Sequence, residues 1–475
     1  MSFTANIDDV VAENRNYLLD KHPKWERVRL KEIATILNGY PFESGRFKKS
    51  GGTPLIRIRD ILPGKTETFY EGEFDSAFLV KRGEILVGMD GDFHCEPWTG
   101  EPALLNQRVC KITPDESRYA KQFLRYVLPG YLRAINEQTP SVTVKHLSSR
   151  TIADIPLPLP PLPEQRRIVA EIEKQFTRLE AGVAALRRVQ VNLKRYRAAV
   201  LKAACEGRLV PTEAALARSP RSTKNGPPAY ETGEALLARI LTERRQNWQG
   251  RGQYKEPAAP DTRNVATVPE GWTWASVDQL ADETMIGLDR GRAQQSDDPA
   301  TGVPYIKMNN VTMDGRVHCD ELVFVPATRE EATRFAVQGG DILFNTRNSK
   351  ELVGKVGLVR NPPAGAIYNN NLMRIRVPAG VSQAFLALQM CSHEFRQRME
   401  LVKKATTSVA AVYSKDLLPL AIALPPLAEQ TRIVAEVERR LSVVEELESV
   451  VTANLQRATR LRQSILQKAF TGELL

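Results

Sequence analysis

Cysteine is scarce: five in 475 residues, at Cys95, Cys110, Cys205, Cys319 and Cys391, and never as CxxC. That scatter argues against a disulfide framework and a structural zinc, and it fits a reducing cytoplasm. His94-Cys95 and His318-Cys319 are not read as metal sites, because neighbouring residues rarely converge on one ion without further ligands at metal spacing. No uninterrupted run of about 18 apolar residues occurs, so no membrane span is expected. The opening MSFTANIDDVVAENRNYLLD lacks the basic flank and apolar run of a secretory signal. Low-complexity tracts are missing as well, and the composition is that of an ordinary globular protein.

Catalytic signatures are equally thin. NPPA (Asn361 to Ala364) resembles an Asn-Pro-Pro-aromatic motif, but Ala364 stands where a ring would stack on a flipped adenine. No strand leads into a glycine-rich turn that would cradle a cofactor. No clustered carboxylates stand out as a Mg²⁺ site for nuclease chemistry. Asp90 and Asp92 in GMDGDF read as turn residues.

What is present is length, positive charge and a repeat. A chain of 475 residues is expected to hold roughly two to four domains. Lys and Arg number 66 against 56 Asp and Glu, a net charge of +10 and a pI near 9.3. Such an excess suits a polyanion, since each phosphate neutralised releases counterions; the plain alternative is a solvated basic surface. LPPLPEQRRIVAEIE (Leu159 to Glu173) returns as LPPLAEQTRIVAEVE (Leu424 to Glu438), identical at twelve of fifteen positions. At the same offset LKAACEGRL (Leu201 to Leu209) meets LQKAFTGEL (Leu466 to Leu474), aligning Gly207 with Gly472. A gapless match over some fifty residues is the mark of a continuous helix, which cannot absorb an insertion without rotating its faces. The proline pair must lie outside the helix, Glu-Gln suits its first turn, and the glycine suits its C-cap. IPLPLPPLP (Ile155 to Pro163) then reads as a rigid hinge rather than a polyproline ligand. Two helices of about 44 residues follow, roughly 65 Å each.

Their apolar faces recur every seven residues, the period of a coiled-coil seam. The first seam is Ile172, Leu179, Leu186 and Leu193, interleaved with Phe176 and Val183. The second is Val437, Val444, Val451 and Ile465, interleaved with Leu441 and Leu455. Two matched seams in one chain most simply bury each other. Glu448 and Arg197 interrupt them, and in an antiparallel pair centred near Gln190 and Leu455 these two would meet and fix register.

Before each helix lies a stretch of roughly 150 residues, and the two echo each other faintly. GTPLIRIRDI (from Gly52) parallels GVPYIKMNNV (from Gly302); RGEIL (from Arg82) parallels GGDIL (from Gly339). NQRVCKITP (from Asn106) parallels NNLMRIRVP (from Asn370), and Trp25 is matched with Trp274. These pieces read as short strands in a mixed domain, while the loops between them differ completely. A shared scaffold with unlike loops implies two binding surfaces of one kind with different targets. The expected order is a domain over 1–158, a helix over 159–210, and a linker with a short helix over 211–267. A second domain covers 268–423 and a second helix 424–475. Within the linker, 217–230 reads as flexible, 231–249 as helix and 254–264 as extended chain.

Repeated entrance, repeated exit and two variable domains together resemble the specificity subunit of a type I restriction–modification system, across essentially the whole chain. The resemblance implies an α+β fold: two target-recognition domains separated by an antiparallel coiled coil, related by a pseudo-twofold internal repeat. It implies a prokaryotic, cytoplasmic, non-catalytic subunit with no cofactor of its own, reading a bipartite asymmetric site on double-stranded DNA. Two modification subunits using S-adenosylmethionine would methylate adenine N6, and restriction subunits using ATP and Mg would complete the nuclease. One feature is less typical: the chain reaches Leu475 almost at the helix end, where many relatives run on.

The rival readings are a methyltransferase in its own right and a non-catalytic coiled-coil scaffold. The first lacks the motifs described above, and the second leaves two unlike loop sets unexplained. Arg suits guanine O6/N7, and Asn or Gln suits adenine N6/N7. In the first domain the candidate readers are Arg46, Lys48 and Lys49; Arg57 and Arg59; Asn106 and Gln107. In the second they are Arg290, Arg292, Gln294 and Gln295; Lys307, Asn309 and Asn310; Arg347, Asn348 and Lys350; and Asn369, Asn370 and Asn371.

Overall fold

The computed structural model describes residues 3, 5–14, 19–139, 144–218, 230–250, 252–263, 265–406 and 409–474. The chain forms two compact units, Met1–Val189 with Val450–Leu475, and Gln190–Ser449. It passes between them twice, and both crossings fall inside a long helix.

Those helices are Leu162–Cys205 and Leu427–Thr471, of 44 and 45 residues. Each begins just after its proline pair, where a ring without an N–H blocks extension upstream. Each ends on its glycine, Gly207 at φ +67° and Gly472 at φ +85°. The following N–H groups close the last turn, Arg208 onto the Ala203 carbonyl at 2.8 Å and Glu473 onto Lys468 at 2.9 Å. A β-carbon at Gly207 would sit 2.9 Å from the Trp272 ring, and one at Gly472 would sit 2.6 Å from His22. The exit glycine thus both turns the chain and lets a helix end settle on a domain.

Along the seams, Ile172, Phe176, Leu193, Val437, Val444, Val451 and Ile465 are buried. Leu179, Val183, Leu186, Leu441 and Leu455 are half-buried. Pairing is antiparallel in each unit. Arg462 reaches Glu180 at 3.2 Å, and the repeat-equivalent Arg197 lies 3.8 Å from Glu445. Arg462 also lies over the Phe176 ring, 4.1 Å from its centroid. The expected pair of Arg197 with Glu448 is made, at 3.2 Å. A half-buried ion pair of this kind recovers little beyond its desolvation cost, so its value is register. Replacing both partners with apolar residues (Arg197→Leu with Glu448→Val) is expected to raise the thermal midpoint. Glu448→Arg alone should lower it by setting two guanidinium groups together. A midpoint unmoved by Glu448→Arg would remove the pair from any role in register.

Each unit carries the same sheet scaffold. In the first, strands run in the order Ala34–Asn38, Val109–Pro114, Ile85–Gly88, Cys95–Pro97. In the second the order is Glu283–Ile286, Leu372–Arg376, Ile342–Asn345, Val356–Leu358. The central strands ILVG and ILFN are buried at every residue, so they read as apolar runs rather than alternating ones. Helix Lys121–Gln138 packs on the first sheet through Phe123, Leu124 and Val127; Gln383–Cys391 supplies Leu386 and Met390 in the second. Ile168, Ile172, Ile465 and Phe470 of the long helices join the first core.

The repeated glutamine explains the shared helix entrance. Gln165 is fully buried; its Oε1 accepts the Ala120 N–H at 2.7 Å, while Nε2 donates to the carbonyls of Arg118 (3.0 Å) and Pro160 (2.8 Å). Gln430 does the same, accepting the Ser382 N–H at 2.8 Å and donating to Pro425 at 3.0 Å. Ala120 and Ser382 are the N-caps of the two domain helices. Each glutamine therefore ties a long helix to the start of the helix packed on its sheet. The neighbouring glutamates diverge. Buried Glu429 accepts the Trp272 indole N–H at 2.9 Å, and burial holds its carboxyl above the usual range, whereas Glu164 is half-exposed.

Sheet register corrects two sequence matches. Glu26 pairs with Leu159 and Thr273 with Leu424, so the counterpart of Trp25 is Trp272, not Trp274. Trp25 and Trp272 are the buried pair, while Trp274 is half-exposed. Likewise Ile112 faces Ile85 and Ile375 faces Ile342, which sets Asn106 opposite Asn369 in the repeat rather than Asn370. In that register Pro114, buried and paired with Ala34, falls opposite Val377, one residue before the Pro378 that the sequence match aligned with it.

Two segments outside the sheets also join the cores. Helix Ile7–Glu13 buries Ile7 and Val10 in the first. Helix Gly233–Gln246, in the stretch expected to be linker, places Leu236 and Ile240 in the second. Of the segment expected to be flexible, 219–229 lie outside the described residues.

Candidate nucleic-acid interface

Three loops meet at the same end of each scaffold. The first follows strand Thr53–Ile56, or Val303–Ile306 in the second unit. Buried Asp60 closes it by accepting the Arg57 N–H at 2.9 Å, and buried Asn310 closes its counterpart by accepting the Lys307 N–H at 2.8 Å. Asn310 also donates to the Glu321 carbonyl at 3.1 Å. The turn leaves Arg57, Arg59 and Asn309 exposed and Lys307 half-exposed.

The second loop runs from Gly88 to His94, closed by the Gly88 N–H on the His94 carbonyl at 2.8 Å. Its counterpart runs from Asn345 to Lys355 with the same 2.8 Å closure, but is longer. There Asn345 is fully buried, donating to the carbonyls of Arg347 (3.1 Å) and Asn371 (3.0 Å) and accepting from Asn348 at 2.8 Å. Asn348 also accepts the Ser349 N–H, so its amide is engaged within the loop. Arg347 and Lys350 are exposed. Lys355 is buried, donates to the Met308 carbonyl at 2.6 Å, and has its pKa lowered by that burial.

The third loop, 105–108 and 368–371, approaches a glycine in each unit. A β-carbon on Gly39 would lie 2.0 Å from the Asn106 carbonyl oxygen, and one on Gly287 would lie 2.3 Å from that of Asn369. Asn106 and Asn369 are both buried, and in each the side-chain Oδ1 has no hydrogen-bond partner. Gln107 is exposed and Asn370 half-exposed.

In the first unit these loops enclose a cleft of about 560 Å³, lined by Arg57 and Arg59, by Asp90, Asp92 and His94, and by Asn106, Gln107 and Arg108. Arg46, Lys48 and Lys49 lie outside it, around strand Phe47–Lys48; Arg46 pairs with Glu43 at 2.9 Å and Lys48 with Glu71 at 3.4 Å. In the second unit Lys307 Nζ donates to Gln295 at 2.8 Å, linking the first loop to the segment 290–295. Arg290 is held there by Glu331 at 2.8 Å and the Pro326 carbonyl at 2.9 Å. Its hydrogen bond keeps the Glu331 carboxyl below the usual range. Gln294 accepts the Gly291 N–H, whereas Arg292 is exposed.

Sequence reasoning missed Arg108, His146 and the part played by Asp90. His146 Nδ1 lies 2.6 Å from one Asp90 oxygen, and Arg108 Nε lies 3.7 Å from the other. Arg108 follows two nominated residues directly, so the run NQR carried a signal for it. His146 is distant in sequence and carried none. The cleft offers exposed guanidinium, amide and carboxylate groups on a fixed frame, the side-chain types that read base edges.

The pattern described as "Type I restriction modification DNA specificity domain" matches residues 23–185 and 270–449. The EcoBI specificity subunit of Escherichia coli is 34% identical over 489 residues, spanning 100% of this chain and 91% of the relative. The EcoKI specificity subunit of Escherichia coli strain K12 is 23% identical, spanning 95% and 89%. A solved chain from work described as "Structural basis underlying complex assembly and conformational transition of the type I R-M system" shares the fold. Its TM-score is 0.58 at 20% identity, covering 95% of this chain and 99% of that one. Among the described residues no helix is long and apolar enough to cross a membrane. The chain belongs to the type I restriction–modification DNA-specificity family, as the non-catalytic DNA-recognition subunit of such a system.

Proposed function

We propose that the three-loop end of each unit reads one half of a two-part asymmetric DNA site. What carries this reading is the duplication of one loop frame, in equivalent sheet register, with different exposed side chains. In the first unit the readers are drawn from Arg57, Arg59, Asn106 and Gln107, with Arg46, Lys48 and Lys49 placed to meet phosphates. In the second they are drawn from Lys307, Asn309, Arg347, Lys350, Asn370 and Arg292. Arg290, Gln294, Asn310 and Asn348 act by shaping loops. Phosphate contacts would position the chain, and base-edge contacts would specify the sequence. The chain would recruit two modification subunits, which bring S-adenosylmethionine to adenine, and restriction subunits, which bring ATP and Mg.

The test is selection from a random duplex library by the full chain with its modification partner. Arg347→Ala should relax one half-site and Arg59→Ala the other, each costing about 1–3 kcal/mol at the base concerned. A uniform loss across all sequences from either change would assign that residue to phosphate.

A further inference from the structure

We infer that Arg108 reads a guanine in the half-site taken by the first unit, with Asp90 as the residue that aims it. The inference rests on the two-half-site reading above and deepens it to one base.

Arg108 lines the cleft and its side chain is 54% exposed, so it is available to a ligand. Its backbone is fixed at φ +71°, a left-handed conformation that a long side chain rarely adopts. The surrounding sheet imposes it: the Arg108 carbonyl accepts the Met89 N–H at 2.9 Å, and the Asn106 carbonyl accepts the Val109 N–H at 3.2 Å. Strain of this kind persists only where the surrounding structure over-determines it, and here it fixes the direction in which the side chain leaves the chain. The guanidinium is then flanked by Asp90, which faces Arg108 Nε through one oxygen and His146 through the other.

A carboxylate beside a phosphate-binding arginine would subtract from the attraction to DNA. It is useful where direction matters more than charge, as in the paired contact of a guanidinium with guanine O6 and N7. Arg57 and Arg59 are differently placed. The carboxylate facing Arg59 at 3.8 Å is that of the next residue, Asp60, whereas Arg108 is met from outside its own loop, with Nη1 also 3.3 Å from His146 Nδ1. At the second unit's equivalent position stands Asn371, whose amide faces Met308 Sδ at 3.8 Å. The effect is therefore confined to one half-site.

The experiment uses the full chain assembled with its modification subunits, selecting from a random duplex library read by sequencing. Wild type should enrich a two-part site with a guanine at a defined position of one half. Arg108→Gly should cut discrimination at that single base pair by roughly 5- to 150-fold and leave the other half-site unchanged. Glycine accepts φ +71° freely, so its thermal midpoint should hold or rise, which separates lost reading from lost folding. Asp90→Asn should relax the same base pair by a smaller factor, an effect that general destabilisation would not confine to one position. A two-part site unaltered by Arg108→Gly, or weakened equally for all sequences, overturns the inference alone. If wild type selects no two-part site, the two-half-site reading falls and this inference with it.

Discussion

Gln165→Ala is expected to cost the first unit on the order of 3–5 kcal/mol, a large fraction of a domain's stability. The side chain is fully buried and makes three hydrogen bonds, so truncation strands one N–H and two carbonyls away from water. Each stranded group costs roughly 1–3 kcal/mol, partly offset where the backbone relaxes. Gln430→Ala should cost the second unit somewhat less, since two bonds are lost there. Gln165→Glu is a sharper probe. A carboxylate can still accept from Ala120 but meets the Arg118 and Pro160 carbonyls without a donor, which raises its folded-state pKa. The ionised form is then destabilising at neutral pH, and part of the loss should return as pH falls through that raised pKa and the acid regains an O–H. Chemical denaturation gives the magnitude, and hydrogen exchange gives the place. Protection should fall around residues 118–124 for the first variant and 382–386 for the second. A cost below 1 kcal/mol would mean that the glutamine is not what joins helix to domain.

Much of this fold was legible because its strongest signals are periodic. The long helices, their entrance prolines and their exit glycines follow from spacing that a helix enforces and a loop does not. The Arg197–Glu448 contact followed from polar breaks in an otherwise apolar seam. The pair that recurs in both units, Arg197 with Glu445 and Arg462 with Glu180, was not visible, since glutamates beside a seam look like any solvated helix face. The sheets were harder. Strands of four or five residues tolerate a one-residue slip in a sequence match, and hydrogen-bond register alone set Asn106 against Asn369. Helix Gly233–Gln246 was legible as a helix within 231–249, but its place in the second core was not, because only Leu236 and Ile240 carry its apolar side into that cluster.

The candidate site was legible as a set of loops rather than as single residues. Arg and Asn are counted alike whether they face solvent or close a turn. Asn310 closes the same turn that Asp60 closes, and Asn348 completes the buried hydrogen bonds of Asn345. Arg108 and His146 meet at Asp90 only once the chain has folded. A composition of donors therefore marks where a cleft lies, while burial and bond direction decide which donors remain free to read.

Deleting one heptad from each long helix is expected to give the largest functional change. Suitable deletions are Val183–Val189 and Glu448–Asn454. Removing seven residues from both antiparallel strands of the pair keeps the register on either side, so Arg462 still meets Glu180 and Arg197 still meets Glu445. Both crossings between the units lie in these helices, so the covalent path from one to the other shortens by about 10 Å. On duplex at about 3.4 Å per base pair, that equals roughly three base pairs. The same step turns the second half-site by about 100° around the DNA axis, at about 10.5 base pairs per turn. The protein gains no matching rotation from a heptad that preserves its seam. Affinity for the original site should therefore fall severely, and the preferred gap should move to a shorter value only if the duplex twists to meet it. Selection from a library with both half-sites fixed and the gap varied measures both effects. Retention of the original gap at undiminished affinity would mean that the paired helices do not set the distance between the bases read.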